Sequence, residues 1–191
     1  MTRSSTAFSA GPEDAIVSLV ADHKRFKTLF EEFEKVRDED DAEDQKAQLV
    51  AQICLELTMH TALEEEVFYP AVRAKIDDED LMDESLVEHA SAKELIEDLE
   101  SMDPTDDLYD AKVTVLGEQI DHHVEEEEGD MFLKARQAKV NTPELAREME
   151  QRREELRAEL GDEDDDNVED DDSVDDDDED GEDEEEGDEQ E

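Results

Sequence analysis

Apolar residues recur every three or four positions along most of the first 160 residues, the spacing that one face of an α-helix requires. The first stripe, over residues 12–37, carries Ile16, Leu19, Val20, Phe26, Phe30 and Phe33, and Pro12 suits a first-turn position. A charged loop near 38–44 follows. The second stripe, over 45–75, holds Leu49, Ile53, Leu57, Val67 and Ala71 in register. Pro70 sits inside it and is expected to kink that helix or end it early. The third, over 81–102, carries Met82, Leu86, Ala92, Ile96 and Leu99, with Asp78 or Asp80 as its cap. Asp103-Pro104 reads as cap and first turn of the fourth, which reaches about 140 with Val113, Leu116, Ile120, Val124 and Met131 on one face. Thr142-Pro143 opens a shorter fifth helix that ends near Leu160-Gly161. No internal repeat stands out at a fixed period. Four long helices with short connections predict an all-α fold, an antiparallel up-down-up-down four-helix bundle over 12–140 with an extra helix over 141–160.

Composition supports helices over sheets: 35% of the 191 residues are apolar and 4% aromatic, with no Trp. Charge changes the picture more. The chain carries 67 acidic against 18 basic side chains, a formal net charge of −49. Residues 162–191 hold 23 of those carboxylates and no Lys or Arg, which leaves 44 acidic residues against 18 basic ones before them. Self-repulsion and few apolar residues predict a disordered acidic tail over 161–191, and the start, 1–11, is read as flexible. The acidic balance argues against nucleic acid and against an anionic membrane surface as partners, because both are held by Lys and Arg. A basic protein is the partner such a tail suits. With one cysteine, Cys54, no intrachain disulfide forms, and Cys54 reads as a small core or flank residue. No apolar run has the length of a signal peptide or a membrane span, so a cytoplasmic protein is expected.

The chemistry emerges when the histidines are laid on the stripes. His23 lies between Leu19 and Phe26; His60 follows Leu57 by three; His89 follows Leu86 by three; His123 follows Ile120 by three. Each long helix therefore turns one His inward. Glu64 and Glu127 follow His60 and His123 by four, one turn along the same faces. A lone inward His is more often a hydrogen-bonded core residue. An inward stripe covers roughly three positions in seven, so chance places four histidines inside only about 3% of the time. A carboxylate buried alone costs several kcal/mol or takes up a proton. A divalent or trivalent cation removes that cost and uses neutral imidazole as a ligand. The i, i+4 spacing sets His and Glu roughly 6 Å apart along the axis, so the ring can bind one ion while the carboxylate reaches between two.

These residues resemble the hemerythrin-like family of HHE cation-binding domains. The matching pieces are Asp22-His23, the run His60-Thr61-Ala62-Leu63-Glu64-Glu65-Glu66-Val67-Phe68-Tyr69-Pro70, Glu88-His89, and His122-His123 through Glu127 to Phe132, within about 14–136. The two His-x-x-x-Glu runs are weak singly and specific together. The resemblance implies a non-haem di-iron site with His23, His60, His89 and His123 as ligands and Glu64 and Glu127 as bridges. Oxygen-carrying members have a second His four residues after the one on the third helix. Here that position is Lys93, which puts reversible oxygen carriage in doubt and favours an exchangeable position that meets oxygen, nitric oxide or peroxide.

Other residues read more plainly. His122 is placed on the flank of the fourth helix, and Glu65, Glu66, Glu125, Glu126 and Glu128 as a solvated acidic face. Glu128 is the alternative bridge, since members with an Asp bridge place it five after the His; stripe register prefers Glu127. Tyr69 is near enough to the Glu64 turn to bond to the site, although packing is the commoner role. Three functions remain open: a protein that binds or senses iron, oxygen or nitric oxide; an enzyme decomposing peroxide or nitric oxide at the same site; and a metal-free helical interaction protein with an acidic tail.

Overall fold

Residues 14–39 and 41–161 of the computed structural model are described, and among them every regular element is helical. Pro12, the start expected to be flexible and the tail expected to be disordered lie outside the described residues. The elements are α1 (Ala15–Val36), α2 (Glu43–Leu63), a π turn (Glu64–Phe68), α3 (Tyr69–Arg73), α4 (Glu79–Glu100), α5 (Tyr109–Glu126), a second π turn (Glu127–Met131), α6 (Phe132–Gln137) and α7 (Thr142–Leu160). α1 packs against α2 and α7, and α4 packs against α5 and α2.

Helix ends follow side-chain chemistry. Asp14 caps α1 by accepting from the Val17 N–H at 3.2 Å, and Asp78 caps α4 by accepting from Leu81. Gly161 ends α7 in a left-handed conformation, φ 75°, with its N–H on the Arg157 carbonyl. The fourth predicted helix starts later than its sequence suggests. Asp103 accepts from the Thr105 N–H and hydroxyl, and its own N–H donates to Asp106, so it closes a turn rather than capping a helix. α5 begins only at Tyr109, and the connection is longer than the stripe implied.

The second stripe is corrected in the same way. Pro70 does not stop the segment, which runs on as α3 to Arg73. The π turn just before it widens the backbone by one residue, with the Tyr69 N–H reaching the Glu64 carbonyl five positions back. That extra residue brings Phe68, Tyr69 and Val72 to the centre of the buried face, while Val67 and Ala71 pack at its edge, partly buried. On α4 the inward set is Met82, Ser85, His89, Ala92, Ile96 and Leu99; Leu86, placed inside by its stripe, is exposed.

Two apolar clusters fill the interior. One gathers Leu19, Leu63, Phe68, Met82, Met131 and Phe132 with α7 side chains; the other gathers Phe26, Phe33, Ile53, Leu57, Ile96 and Leu116. Along each long helix the switch from one cluster to the other falls close to the histidine. Oily packing above and below therefore fixes the depth of a polar layer between them.

Candidate metal centre

α1, α2, α4 and α5 each deliver one buried imidazole, from His23, His60, His89 and His123. Glu64 and Glu127, the first residues of the two π turns, are buried beside them. Their donor atoms form two groups, each within 4.8 Å: His23, His60, Glu64 and Glu127, then Glu64, His89 and His123. Glu64 is common to both. All six residues singled out in the sequence are thus brought together.

The inner ring nitrogens converge. His60 Nε2 is 3.2 Å from Glu64 Oε2, and His89 Nε2 is 3.3 Å from the same oxygen. His23 Nε2 is 3.4 Å from Glu127 Oε2, and His89 Nε2 is 3.2 Å from His123 Nε2. Three of these atoms, His23 Nε2, His60 Nε2 and Glu127 Oε2, and the other Glu64 oxygen, Oε1, have no hydrogen-bond partner among the described residues. Buried polar atoms are ordinarily paired. Imidazole nitrogens and carboxylate oxygens sharing one enclosed space fit a cation.

The outer ring nitrogens are held by a second set of carboxylates. Nδ1 of His23 contacts Glu128 at 2.9 Å, that of His60 contacts Asp22 at 3.4 Å, that of His89 contacts Glu65 at 3.0 Å, and that of His123 contacts Glu88 at 2.8 Å. A carboxylate on Nδ1 keeps the proton there, so that in the neutral ring it is the Nε2 lone pair that faces inward. The contact plan occurs twice. The acid before His23 serves His60, and the acid before His89 serves His123. The acid after Glu64 serves His89, and the acid after Glu127 serves His23. The spacing is 63 residues between His60 and His123 but 66 between His23 and His89, so no fixed period exposes the repeat.

Sequence reasoning missed this outer set. Glu65 and Glu128, expected on a solvated face, instead each reach a ring on another helix. Glu128 is half exposed and sits outside His23, whereas Glu127 is buried inside. The repeated acid-His pairs, Asp22-His23 and Glu88-His89, were the available signal. Lys93 also acts from outside, donating to both oxygens of Glu65 at 2.7 and 2.8 Å. His122 is 64% exposed, 3.7 Å from Glu88 and 3.5 Å from Glu126.

Tyr69 breaks the duplication. Its ring stacks on His89 as Phe132 stacks on His23, and each follows its glutamate by five. The Tyr69 hydroxyl donates to Glu127 Oε1 at 2.9 Å and lies 3.4 Å from Glu64 Oε2. Burial, then the charges of Glu64 and Glu127, raise its ionisation far above that of an ordinary phenol, so it stays a neutral donor. Burial also opposes the His60 imidazolium, but Glu64 and Asp22 outweigh it and raise His60 to about 9. His123 rises to about 10, with Glu64 and Glu88 outweighing burial. Burial works against the Glu64 carboxylate too, yet the surrounding rings bring it well below its usual range. Glu127 is raised by burial and by the nearby Glu64 charge. One carboxylate is kept charged at the expense of the other, as expected of acids crowded into one dry space.

A family model for the hemerythrin HHE cation binding domain matches residues 14–135. The chain belongs to that family. The hemerythrin HHE assignment agrees with a solved structure, a hemerythrin HHE cation binding domain-containing protein from Mycobacterium kansasii. It aligns over 76% of this chain and 88% of its own with a TM-score of 0.63 and 21% identity, a likeness of fold. A curated relative, a DNA nickase from Nostoc sp., is 29% identical over 143 residues, 73% of this chain. This HHE chain spans 39% of that protein's length. No helix among the described residues is long and apolar enough to cross a membrane.

Proposed function

We propose that this hemerythrin-like chain is a non-haem di-iron protein that binds or senses iron, oxygen or nitric oxide within an antiparallel up-down-up-down bundle. One observation carries the reading: two groups of buried donor atoms share Glu64, so one carboxylate stands between two positions. His23 and His60 would hold one ion and His89 and His123 the other, with Glu64 and Glu127 serving both; Glu127 Oε2 lies 3.4 Å from His23 Nε2 and 3.6 Å from His123 Nε2. Iron bound there supplies a redox couple and an exchangeable position for a small ligand. The protein's own part is to aim four Nε2 lone pairs inward, to exclude water with two apolar clusters, and to offer the Tyr69 proton beside Glu127. Lys93 occupies itself with Glu65, which leaves the His89 and His123 group one nitrogen short of the oxygen carriers' set. The nickase activity named for the Nostoc relative does not carry over to this chain, which spans 39% of that protein. With 67 acidic against 18 basic side chains, this chain repels a phosphate backbone.

Iron analysis of the purified, iron-loaded protein is the test. Close to two ions per chain and charge-transfer absorption are expected. His60→Ala should lose at least one ion and about 3–5 kcal/mol of stability, because Glu64 remains buried beside fewer partners. Glu64→Ala should lose both ions. A wild-type protein that retains no iron, or a His60→Ala variant with its full load and melting temperature, overturns the reading.

A further inference from the structure

Arg153 lies on α7, beyond the residues the family model matches. Its side chain is 11% exposed, and Nη2 donates to Asp22 Oδ2 at 2.7 Å. That same oxygen stands 3.4 Å from His60 Nδ1. The far side of the His60 ring, Nε2, faces Glu64. Guanidinium, carboxylate and imidazole therefore form one line from α7, through α1, to the ring that α2 carries into the centre. The neighbouring Arg152 turns away, to Glu66 and Glu159.

Asp22 is the most enclosed of the four outer carboxylates: its side chain is 14% exposed, against 24% for Glu88, 27% for Glu65 and 42% for Glu128. A carboxylate so enclosed needs a charged partner, and Arg153 is the one α7 brings to it. The contact also reaches the metal-facing nitrogen. A carboxylate that accepts from Nδ1–H makes Nε2 a stronger donor toward a metal. A guanidinium bonded to the same oxygen draws charge out of that oxygen and weakens the push on the ring.

We propose that Arg153 is a positioning residue of the metal centre, fixing Asp22 against His60 and tempering how strongly that ring donates to iron. The donor strength of one ligand is thereby tied to the docking of α7. This inference rests on the di-iron reading above. Arg153 touches neither a metal nor a substrate; it acts through Asp22.

The test measures the reduction potential of the iron-loaded full chain, together with the rate at which a chelator removes the iron. Arg153→Met leaves all of the Asp22 charge to His60, so the ferric state gains and the potential falls. Asp22→Asn removes the carboxylate, so the potential rises and iron retention weakens about 10- to 100-fold. The opposite signs are the signature, since a helix that merely braces the fold would move both variants the same way. Arg153→Lys keeps a cation and should return most of the potential lost in Arg153→Met. Arg152→Met, which strips surface contacts from the same helix, should leave the potential unchanged. If Arg153→Met does not fold, Arg153→Lys carries the measurement, with a smaller fall expected from its single, shorter donor. The inference is overturned if the Arg153 variants keep the wild-type potential, if they shift in the same direction as Asp22→Asn, or if Arg152→Met shifts as far as they do. A wild-type protein without iron overturns the di-iron reading itself, a distinct result obtained before any variant is made.

Discussion

A phenol stands on one side of the centre where a bare phenyl ring stands on the other. Tyr69 and Phe132 hold corresponding places, each five residues after its glutamate and each stacked on a histidine. Phe differs from Tyr only by the hydroxyl, so Tyr69→Phe keeps the ring that stacks on His89 and should fold without strain. It would leave Glu127 Oε1 without its 2.9 Å donor. An unsatisfied buried acceptor costs about 1–3 kcal/mol, so the metal-free variant should melt several degrees lower, which calorimetry would read. An unchanged melting temperature would mean that the hydroxyl contributes nothing to holding Glu127. At this scale the inward residues were legible because helical periodicity alone places His23, His60, His89 and His123 on apolar faces. The outer carboxylates were not. Periodicity relates positions within one helix, whereas Asp22, Glu65, Glu88 and Glu128 each serve a ring on a different one.

The two π turns do for the segments what the histidines do for the faces. Each opens on a buried glutamate whose carbonyl accepts the N–H five residues on, from Tyr69 or from Phe132. The extra residue swings those rings over the histidines, a placement that a regular 3.6-residue stripe cannot foresee. The same limit explains why Val67 and Ala71 were expected inside rather than at the edge of the buried face. Element ends were legible where a side chain caps its own helix, as at Asp78, and illegible where a turn satisfied itself, as at Asp103. Asp14 combines both kinds of contact. It caps α1, accepts from the Thr142 hydroxyl at 2.7 Å and pairs with Arg136 at 3.3 Å, joining α1 to α7 and α6. Burial pushes its carboxyl up, but Thr142, the Val17 N–H and Arg136 outweigh that and lower it below its ordinary 3.8. A folded value below the unfolded one adds stability that is present above the unfolded value and lost as pH falls through the folded one. Asp14→Ala should cost about 1–2 kcal/mol near neutrality. Asp14→Asn should flatten the decline in stability below about pH 4. Denaturant titration at neutral and acidic pH measures both; a variant whose acid limb matches the wild type would show that Asp14 is not the titrating anchor.

Taken whole, the molecule is a small neutral-to-charged interior inside a strongly negative shell. Many of the basic side chains among the described residues pair with surface carboxylates, as Lys134 does with Asp78, Arg73 with Asp83 and Arg37 with Glu34. Exposed pairs of that kind contribute about 0–1 kcal/mol each and weaken with salt. Repulsion among 67 acidic residues also weakens with salt, and it has far more members. Raising ionic strength from about 10 mM to about 150 mM shortens the screening length from roughly 30 Å to roughly 8 Å, which relieves the long-range repulsion before it dissolves contacts at 3 Å. Stability should therefore rise over that range, opposite to a fold held by surface ion pairs. Removing residues 162–191 takes away 23 carboxylates and no basic residue, so the slope of melting temperature against salt should shrink in the shortened chain. Thermal melts of the iron-loaded protein in sodium chloride measure both slopes. A melting temperature that falls with salt would mean that the few cations, through their pairs, govern this fold rather than the many anions.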